Sequence, residues 1–176
     1  NIETSKKGQY RIKDNFLAFW FRFVYPMRSF IESDHPEIAM TKLKTGFIPN
    51  HVGYVYEDIC RQKMWELNAQ GKLPFLFDRV GRWWGGKDTE IDIVAIDTTD
   101  RSKIIFGECK FHQNVPMQLS ELHQLKEKAA VVPWGNANRD EYFALFCISG
   151  YSEDLQQLAQ ADSHLLLVLF FSCNNL

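Results

Sequence analysis

Two acidic segments that alternate charged and apolar residues constrain the fold of this chain more than any other feature. The first is Glu90–Asp97, and the second ends in Gly107–Lys110, with the polar cluster 98–102 between them. Alternation with a period of two is typical of β-strands, and a polar cluster of this length and composition closes a turn. The sequence therefore predicts an antiparallel hairpin with acidic side chains near its open end.

The pairing within this hairpin brings four charged side chains together. A hairpin folded about Asp100 places Asp92 opposite Glu108 and Glu90 opposite Lys110, and strict alternation puts Glu90 and Asp92 on one face. Two facing carboxylates repel each other, and apolar neighbours strengthen the repulsion by lowering the local dielectric. A divalent cation, with Lys110 alongside, is the natural counter-charge, so we expect a metal site here.

Bulk composition excludes several classes of protein. The 176 residues carry a net charge of −2, are 45% hydrophobic, and fit one domain with a core of its own. With so little net charge, any DNA contact has to come from a local patch. No apolar run is long enough to span a bilayer. The four cysteines are widely spaced and show no zinc pattern. Three of them lie in apolar stretches, where we expect buried free thiols, and we expect a cytoplasmic, reducing setting.

The elements after residue 50 predict an α/β domain. Hydrophobic spacing and turn signals give alternating helices and strands, with expected bounds of helix 53–68, strands 79–84, 90–97 and 104–110, helix 117–130, strand 142–148, a short helix capped by Ser152, and strand 164–171. The order is helix, three strands, helix, strand, helix, strand. It favours a mixed sheet flanked by helices.

The N-terminal part reads differently. Asp14 is a predicted helix N-cap, and the run Phe16–Tyr25 is apolar almost all round before Pro26 ends it. A second helical piece is expected at Glu37–Lys44. A helix that is apolar on every side needs a partner, which we expect to be a preceding domain or, as the alternative, a second copy of the chain.

Other charged residues have a simpler explanation. A surface ion pair between Glu90 and Lys110 would account for those two residues but leaves Asp92 and Glu108 unbalanced. We expect a solvated helix face from Gln124, Lys126 and Lys128. Five further basic residues could form a modest rim that contacts phosphates. They are Arg79, Arg82, Lys87, Arg101 and Lys103.

One segment imitates a phosphate-binding loop. Residues 81–88 match its glycine and lysine spacing, but Asp88 stands where a hydroxyl would bind magnesium. Two tryptophans fill the loop, and a strand follows instead of a helix. The sequence therefore argues against ATP binding at this place.

A helix glutamate at Glu57, a strand aspartate at Asp92 and the Glu108-Cys109-Lys110 tripeptide together resemble the PD-(D/E)XK nuclease superfamily, which has the restriction-endonuclease-like fold. More narrowly, five segments resemble the C-terminal region of certain prokaryotic P-loop ATPases, in which an ATPase module and a winged helix come first. These segments are 10–26, 53–57, 83–84, 90–95 and 107–110. Ile91 departs from the family pattern, which has proline there.

The resemblance implies specific roles. Asp92 and Glu108 would bind Mg²⁺ or Mn²⁺, with the Cys109 carbonyl as a further ligand and Glu57 completing the shell directly or through water. Lys110 would orient or deprotonate the attacking water, and a neighbouring cation should lower its pKa. Magnesium suits hard oxygen donors and keeps several waters.

The expected function is therefore that of a metal-dependent DNA endonuclease domain in a larger ATPase. Residues 1–49 would be a helical extension from the missing ATPase and winged-helix part, and residues 50–176 the nuclease-like domain. The alternative is a catalytically silent module of the same fold that binds DNA or a protein. A carboxylate-pair glycosidase also predicts two facing acids, but it gives Lys110 no role.

Overall fold

The computed structural model forms two compact units, Asn1–Val55 and Tyr56–Leu176. The residues that it describes are 12–47, 51–85, 89–112, 114–135 and 138–170. Within those ranges, no helix has the length and apolar character that crossing a bilayer requires.

The first unit is helical. Its elements are α1 (Asn15–Phe19), a π-helical turn (Trp20–Val24), a 3₁₀ turn (Tyr25–Met27), α2 (Arg28–Glu32) and α3 (Pro36–Phe47). Asp14 caps α1 as predicted, accepting a hydrogen bond from the Leu17 nitrogen at 2.8 Å. The prediction that the helix ends at Pro26 is wrong. Pro26 lies in the first turn of the 3₁₀ segment, where its missing N–H costs little, and the chain stays helical to Glu32.

Aromatic side chains of this unit divide into two groups. One group packs together, with the rings of Phe19 and Phe47 at 5.7 Å and those of Phe47 and His51 at 5.6 Å. The other group is exposed and consists of Phe16, Trp20, Phe21 and Tyr25. The unit therefore presents these four aromatic side chains on its surface.

The second unit, together with the first three residues of its first helix, contains the predicted succession of elements. They are α4 (Gly53–Ala69), β1 (Arg79–Trp84), β2 (Glu90–Ile96), β3 (Lys103–Lys110), α5 (Leu119–Ala129), β4 (Asp140–Cys147), α6 (Glu153–Ala161) and β5 (Leu165–Val168). Ser152 caps α6 as predicted. The last strand is shorter than predicted, and Phe171 lies outside the described residues.

One mixed five-stranded sheet runs through this unit in the order β1-β2-β3-β4-β5. The first three strands are antiparallel neighbours, whereas β3, β4 and β5 are parallel. Leu122, Leu125 and Leu155 from α5 and α6 pack on one face, and Cys60 and Met64 from α4 pack on the other. The predicted α/β class with a mixed sheet is confirmed.

The hairpin register agrees with the sequence. Four residue pairs, from Ile93 with Gly107 to Ile96 with Ile104, are centred on Asp100. Asp92 and Glu108 are the next residues beyond the last pair. The Asp100 side chain stabilises the turn, because it accepts a hydrogen bond from the Ser102 main-chain nitrogen at 2.9 Å.

Strict alternation in β2 is wrong, because a β-bulge interrupts it. Gly81 pairs with Val94 but Trp83 pairs with Ile91, so Arg82 opposes two residues of β2. Beyond the bulge, Ile91 packs in the same core cluster as Val94. Glu90 is consequently shifted out of the row that period-two alternation predicted.

Candidate functional site

The candidate site lies where β2 and β3 diverge. Asp92 lies in the bulge, and its Oδ2 accepts a hydrogen bond from the Cys109 main-chain nitrogen at 2.9 Å. This contact holds the Asp92 carboxylate against the peptide that joins Glu108 to the rest of the tripeptide. The Asp92 carboxylate also interacts electrostatically with Glu108, the acid that the hairpin register placed opposite it.

Glu108 is a buried acid held by two lysines. Its residue is only 5% exposed, and Lys110 Nζ lies 2.7 Å from its Oε1 while Lys128 Nζ lies 3.1 Å from its Oε2. A carboxylate this deep is stable only when its charge is paired. Both oxygens of Glu108 are therefore engaged in the metal-free protein.

The electrostatics of Asp92 reflect its crowded position. Burial, and then the negative charge of Glu108, raise the pKa of Asp92 to about 6. The hydrogen bond from Cys109 and the positive charges of Lys110 and Arg82 act in the opposite direction. The carboxylate is consequently poised to lose its proton in the mildly acidic range, which is the behaviour of an acid that lacks a full counter-charge.

Lys110 shows the reverse balance. Burial acts to lower its pKa, but the charge and hydrogen bond of Glu108, aided by Asp92 and Glu121, outweigh burial and leave the pKa of Lys110 raised. The lowered pKa expected from the sequence depends on a nearby metal cation. In the metal-free protein Lys110 is an ammonium, which donates hydrogen bonds but does not accept a proton.

Glu57 is engaged with arginines. Its carboxylate pairs with Arg82, which also reaches Glu90 with Nη1 at 2.9 Å from Oε1. The indole nitrogen of Trp84 donates to the same Glu90 oxygen at 3.1 Å. Arg82 therefore bridges α4 and β2, and Glu90 is paired with Arg82 instead of Lys110.

A second arginine connects α4 to the bulge. Arg61 Nη1 donates to the main-chain oxygen of Asp92 at 3.2 Å, and its Nη2 pairs with Asp58. Arg61 thereby satisfies a carbonyl next to the irregular part of β2. The helix and the strand that carry Glu57 and Asp92 are thus joined by charge-assisted hydrogen bonds.

The groups of this site that could bind magnesium are the two carboxylates of Asp92 and Glu108. Across the described ranges, no group of three or more His, Cys, Asp or Glu side chains is arranged to hold a metal ion. Asp92 and Glu108 supply hard oxygens, and their repulsion is visible in the raised pKa of Asp92. Mg²⁺ is commonly bound by one or two carboxylates and several waters. The pair therefore fits Mg²⁺ or Mn²⁺, whereas Glu57 is not brought into a ligand group with it.

Two contacts escaped the sequence analysis. Lys128, assigned to a solvated face, reaches Glu108, and Arg61 was not singled out at all. Arg82, considered for a basic rim, is nearly buried between Glu57 and Glu90. A weak signal existed for Lys128, since it follows the inward-facing Leu125 by three positions on the same helix.

The thiol of the cysteine within the tripeptide is buried and favours its protonated form. Burial, a hydrogen bond with Cys60 and the charges of Asp92 and Glu108 raise the pKa of the Cys109 thiol well above its usual value. Cys60, Cys109 and Cys147 are free and buried, as predicted.

Fold and site together define a three-layer α/β domain with a cluster of paired acids and bases where two strands diverge. The chain belongs to the family DUF234, described as "Archaea bacterial proteins of unknown function", which matches residues 20–129. It is also similar to the uncharacterized protein MJECL04 of Methanocaldococcus jannaschii, with 35% identity over 142 residues. That alignment covers 80% of this chain and 31% of the relative, so the chain spans less than a third of that protein's length. No solved structure matches the chain.

Proposed function

We propose that this chain carries a metal-dependent phosphodiesterase site that acts on DNA. The observation that supports it best is that Asp92, held by the Cys109 nitrogen, interacts electrostatically with Glu108 where β2 and β3 diverge, while Lys110 Nζ lies 2.7 Å from Glu108. Two close carboxylates and a lysine on adjacent strands are the groups that metal-assisted phosphodiester hydrolysis requires. We assign the cofactor as Mg²⁺ or Mn²⁺.

Each side chain has a role in this proposal. A bound Mg²⁺ would supply a hydroxide-like water and neutralise charge that grows on the phosphate. Asp92 and Glu108 hold the ion, and the Cys109 nitrogen fixes the orientation of Asp92. Lys110, an ammonium in the metal-free protein, donates to the attacking water or to a phosphate oxygen. Glu57 acts through Arg82.

The test is nicking of supercoiled plasmid in the presence of Mg²⁺ or Mn²⁺. Wild-type protein should nick, and Asp92→Ala, Glu108→Gln and Lys110→Met should each lose at least about a hundredfold in rate, as expected when a group acts at the reacting atoms. His123→Ala is the matched control, because His123 is exposed on α5. Equal rates for wild type and Asp92→Ala at high protein concentration would refute the assignment.

The same proposal includes the specific fold of this domain and the longer protein to which it would belong. A mixed sheet with α4 on one face and α5 and α6 on the other is compatible with the restriction-endonuclease-like fold. The much greater length of the archaeal relative leaves room for an ATPase and a winged helix. We propose that such a preceding region covers the exposed aromatic residues of the first unit, with self-association of two copies as the alternative.

A silent module of the same fold is the second candidate. It is favoured by one observation, which is that the chain's own bases already pair with Glu57, Glu90 and Glu108. A silent module has no need to bind a divalent cation. Isothermal calorimetry with Mn²⁺ separates the two candidates. The enzyme requires Mn²⁺ binding that is lost in Asp92→Asn, whereas the silent module does not.

A further inference from the structure

The contact between Lys128 and Glu108 has a consequence for metal binding. Lys128 lies in the last turn of α5, and its Nζ is 3.1 Å from Glu108 Oε2, while Lys110 occupies Oε1. A divalent ion shared by Asp92 and Glu108 needs one of these oxygens. An ion and an ammonium that compete for the same oxygen also repel each other.

The two lysines differ in what holds them. Lys110 interacts with the charges of Asp92 and Glu121 in addition to Glu108, and it belongs to the same strand as Glu108. The described ion pair of Lys128 is with Glu108, reached from a different element through a long flexible side chain. Displacing Lys128 therefore costs fewer interactions than displacing Lys110.

We infer that Lys128 is a latch on the metal site: it pairs with Glu108 in the metal-free protein and has to leave before both carboxylates can bind an ion. The inference rests on the proposed function and makes Lys128 a positioning residue. Once displaced, the Lys128 ammonium is a positive charge without a carboxylate beside the site. A phosphate of the DNA is an anion with which this ammonium group can form an ion pair. Metal and DNA binding are then favourably coupled through this side chain.

The experiment measures the Kd of Mn²⁺ by calorimetry, without any cleavage assay. Removing a competitor should tighten binding, so we expect Lys128→Ala to lower the Kd about tenfold, within the usual range of coupling between sites. Lys128→Arg keeps the charge and should stay close to wild type. Lys128→Gln keeps a donor for Glu108 without the charge, and it serves if Lys128→Ala fails to fold.

Lys126→Ala is the matched control. Lys126 lies in the same helical turn and carries the same charge, but its Nζ lies 5.2 Å from the centre of the Phe143 ring. Its removal should change the Kd by less than about twofold, which separates a direct contact from the loss of one distant positive charge.

Melting temperatures give a second measurement. Without metal, Lys128→Ala should melt below wild type because Glu108 loses a partner. Saturating Mn²⁺ should then raise its melting temperature more than it raises that of wild type.

The outcomes distinguish the latch from the proposed function. If Lys128→Ala and Lys126→Ala bind Mn²⁺ equally, or if Lys128→Ala binds less tightly than wild type, the latch is refuted while the metal site stands. If no variant and no wild-type protein binds Mn²⁺, the metal-dependent function itself fails, and the latch fails with it.

Discussion

The carboxylate of Asp92 takes the place of a strand carbonyl by accepting the main-chain N–H of Cys109 at 2.9 Å. The regular ladder between the two strands ends at Ile93 and Gly107, so this side chain continues it by one further hydrogen bond. The carboxylate is thereby fixed in space by backbone, not by another flexible side chain. This fixed position forces Asp92 to remain beside Glu108.

The raised pKa of Asp92 predicts an unusual pH dependence of stability. The pKa of about 6 in the folded protein exceeds the usual aspartate pKa of 3.8, so the folded protein binds more protons than the unfolded chain between pH 4 and 6. The free energy of unfolding should therefore fall as the pH rises through this window, by on the order of 2 kcal/mol from this residue. Urea denaturation in EDTA at several pH values measures it.

Asp92→Asn isolates this contribution. Asparagine does not titrate, so the variant should gain stability relative to wild type as the pH rises from 4 to 6.5. Saturating Mn²⁺ should restore the stability of wild type at the higher pH, but it should not change the stability of Asp92→Asn. Parallel pH profiles for the two proteins would show that burial and Glu108 do not destabilise the charged form of Asp92.

Gly107, directly before Glu108, has no room for a side chain. A Cβ there would lie 2.9 Å from the Ile93 Cβ and 3.1 Å from the Ala144 carbonyl oxygen. Gly107→Ala should cost about 2 kcal/mol in unfolding free energy, because a central strand cannot shift freely, and it should weaken Mn²⁺ binding. Gly81→Ala, in β1 of the same sheet, is the control, since a Cβ there meets nothing within 4 Å. Similar effects of both changes would contradict this reading.

Arg82 supports the site through a mostly buried ion pair. The side chains of Arg82 and Glu57 are 12% and 14% exposed, so Arg82→Met should leave Glu57 with the longer contact to Arg61, at 3.9 Å, and cost about 3 kcal/mol. Adding Glu57→Gln should recover part of this loss. Lys63→Met removes the more exposed pair with Glu66 on the same helix and should cost less than about 1 kcal/mol. Denaturation midpoints of wild type, Arg82→Met, Glu57→Gln, the double variant and Lys63→Met give the comparison, and additive losses for the Arg82 and Glu57 changes would argue against a direct pair.

Two buried tyrosines offer a matched test of hydrogen bonding. The Tyr151 hydroxyl lies 2.6 Å from the Leu145 oxygen and 2.7 Å from the Val168 oxygen, so Tyr151→Phe should cost about 1 to 2 kcal/mol. The Tyr56 hydroxyl is buried and finds no hydrogen-bond partner among the residues that the structure describes. Tyr56→Phe should therefore be neutral or stabilising. The two thermal unfolding curves would disprove the assignment if they shifted equally.

Local sequence signals predicted the hairpin and the order of elements. The alternation around Asp92 and the polar turn at Asp100 were enough to set the register, because a turn of given length fixes which residues pair. Ser152 and Asp14 identified helix starts through side chains that accept main-chain hydrogen bonds. Each of these features depends on residues close together in the chain.

The arrangement around the carboxylates could not be predicted in the same way. The bulge opposite Arg82 depends on how two strands twist against each other, and it moved Glu90 away from Lys110. The contact of Lys128 with Glu108 depends on how far α5 is rotated against the sheet. Pro26 was expected to end a helix, but a change to tighter winding accommodates it. The metal, DNA and ATPase assignments remain predictions.

The charged cluster consists of side chains from α4, α5 and three neighbouring strands. Along the chain it extends from Glu57 to Lys128. No shorter piece of the chain contains more than a fraction of it. During synthesis, Asp92 and Glu108 leave the ribosome before Lys128 does, so their charges meet without their full complement of bases. The full pairing of Glu108 with its two lysines is thus a property that the chain acquires late, when α5 has docked on the sheet.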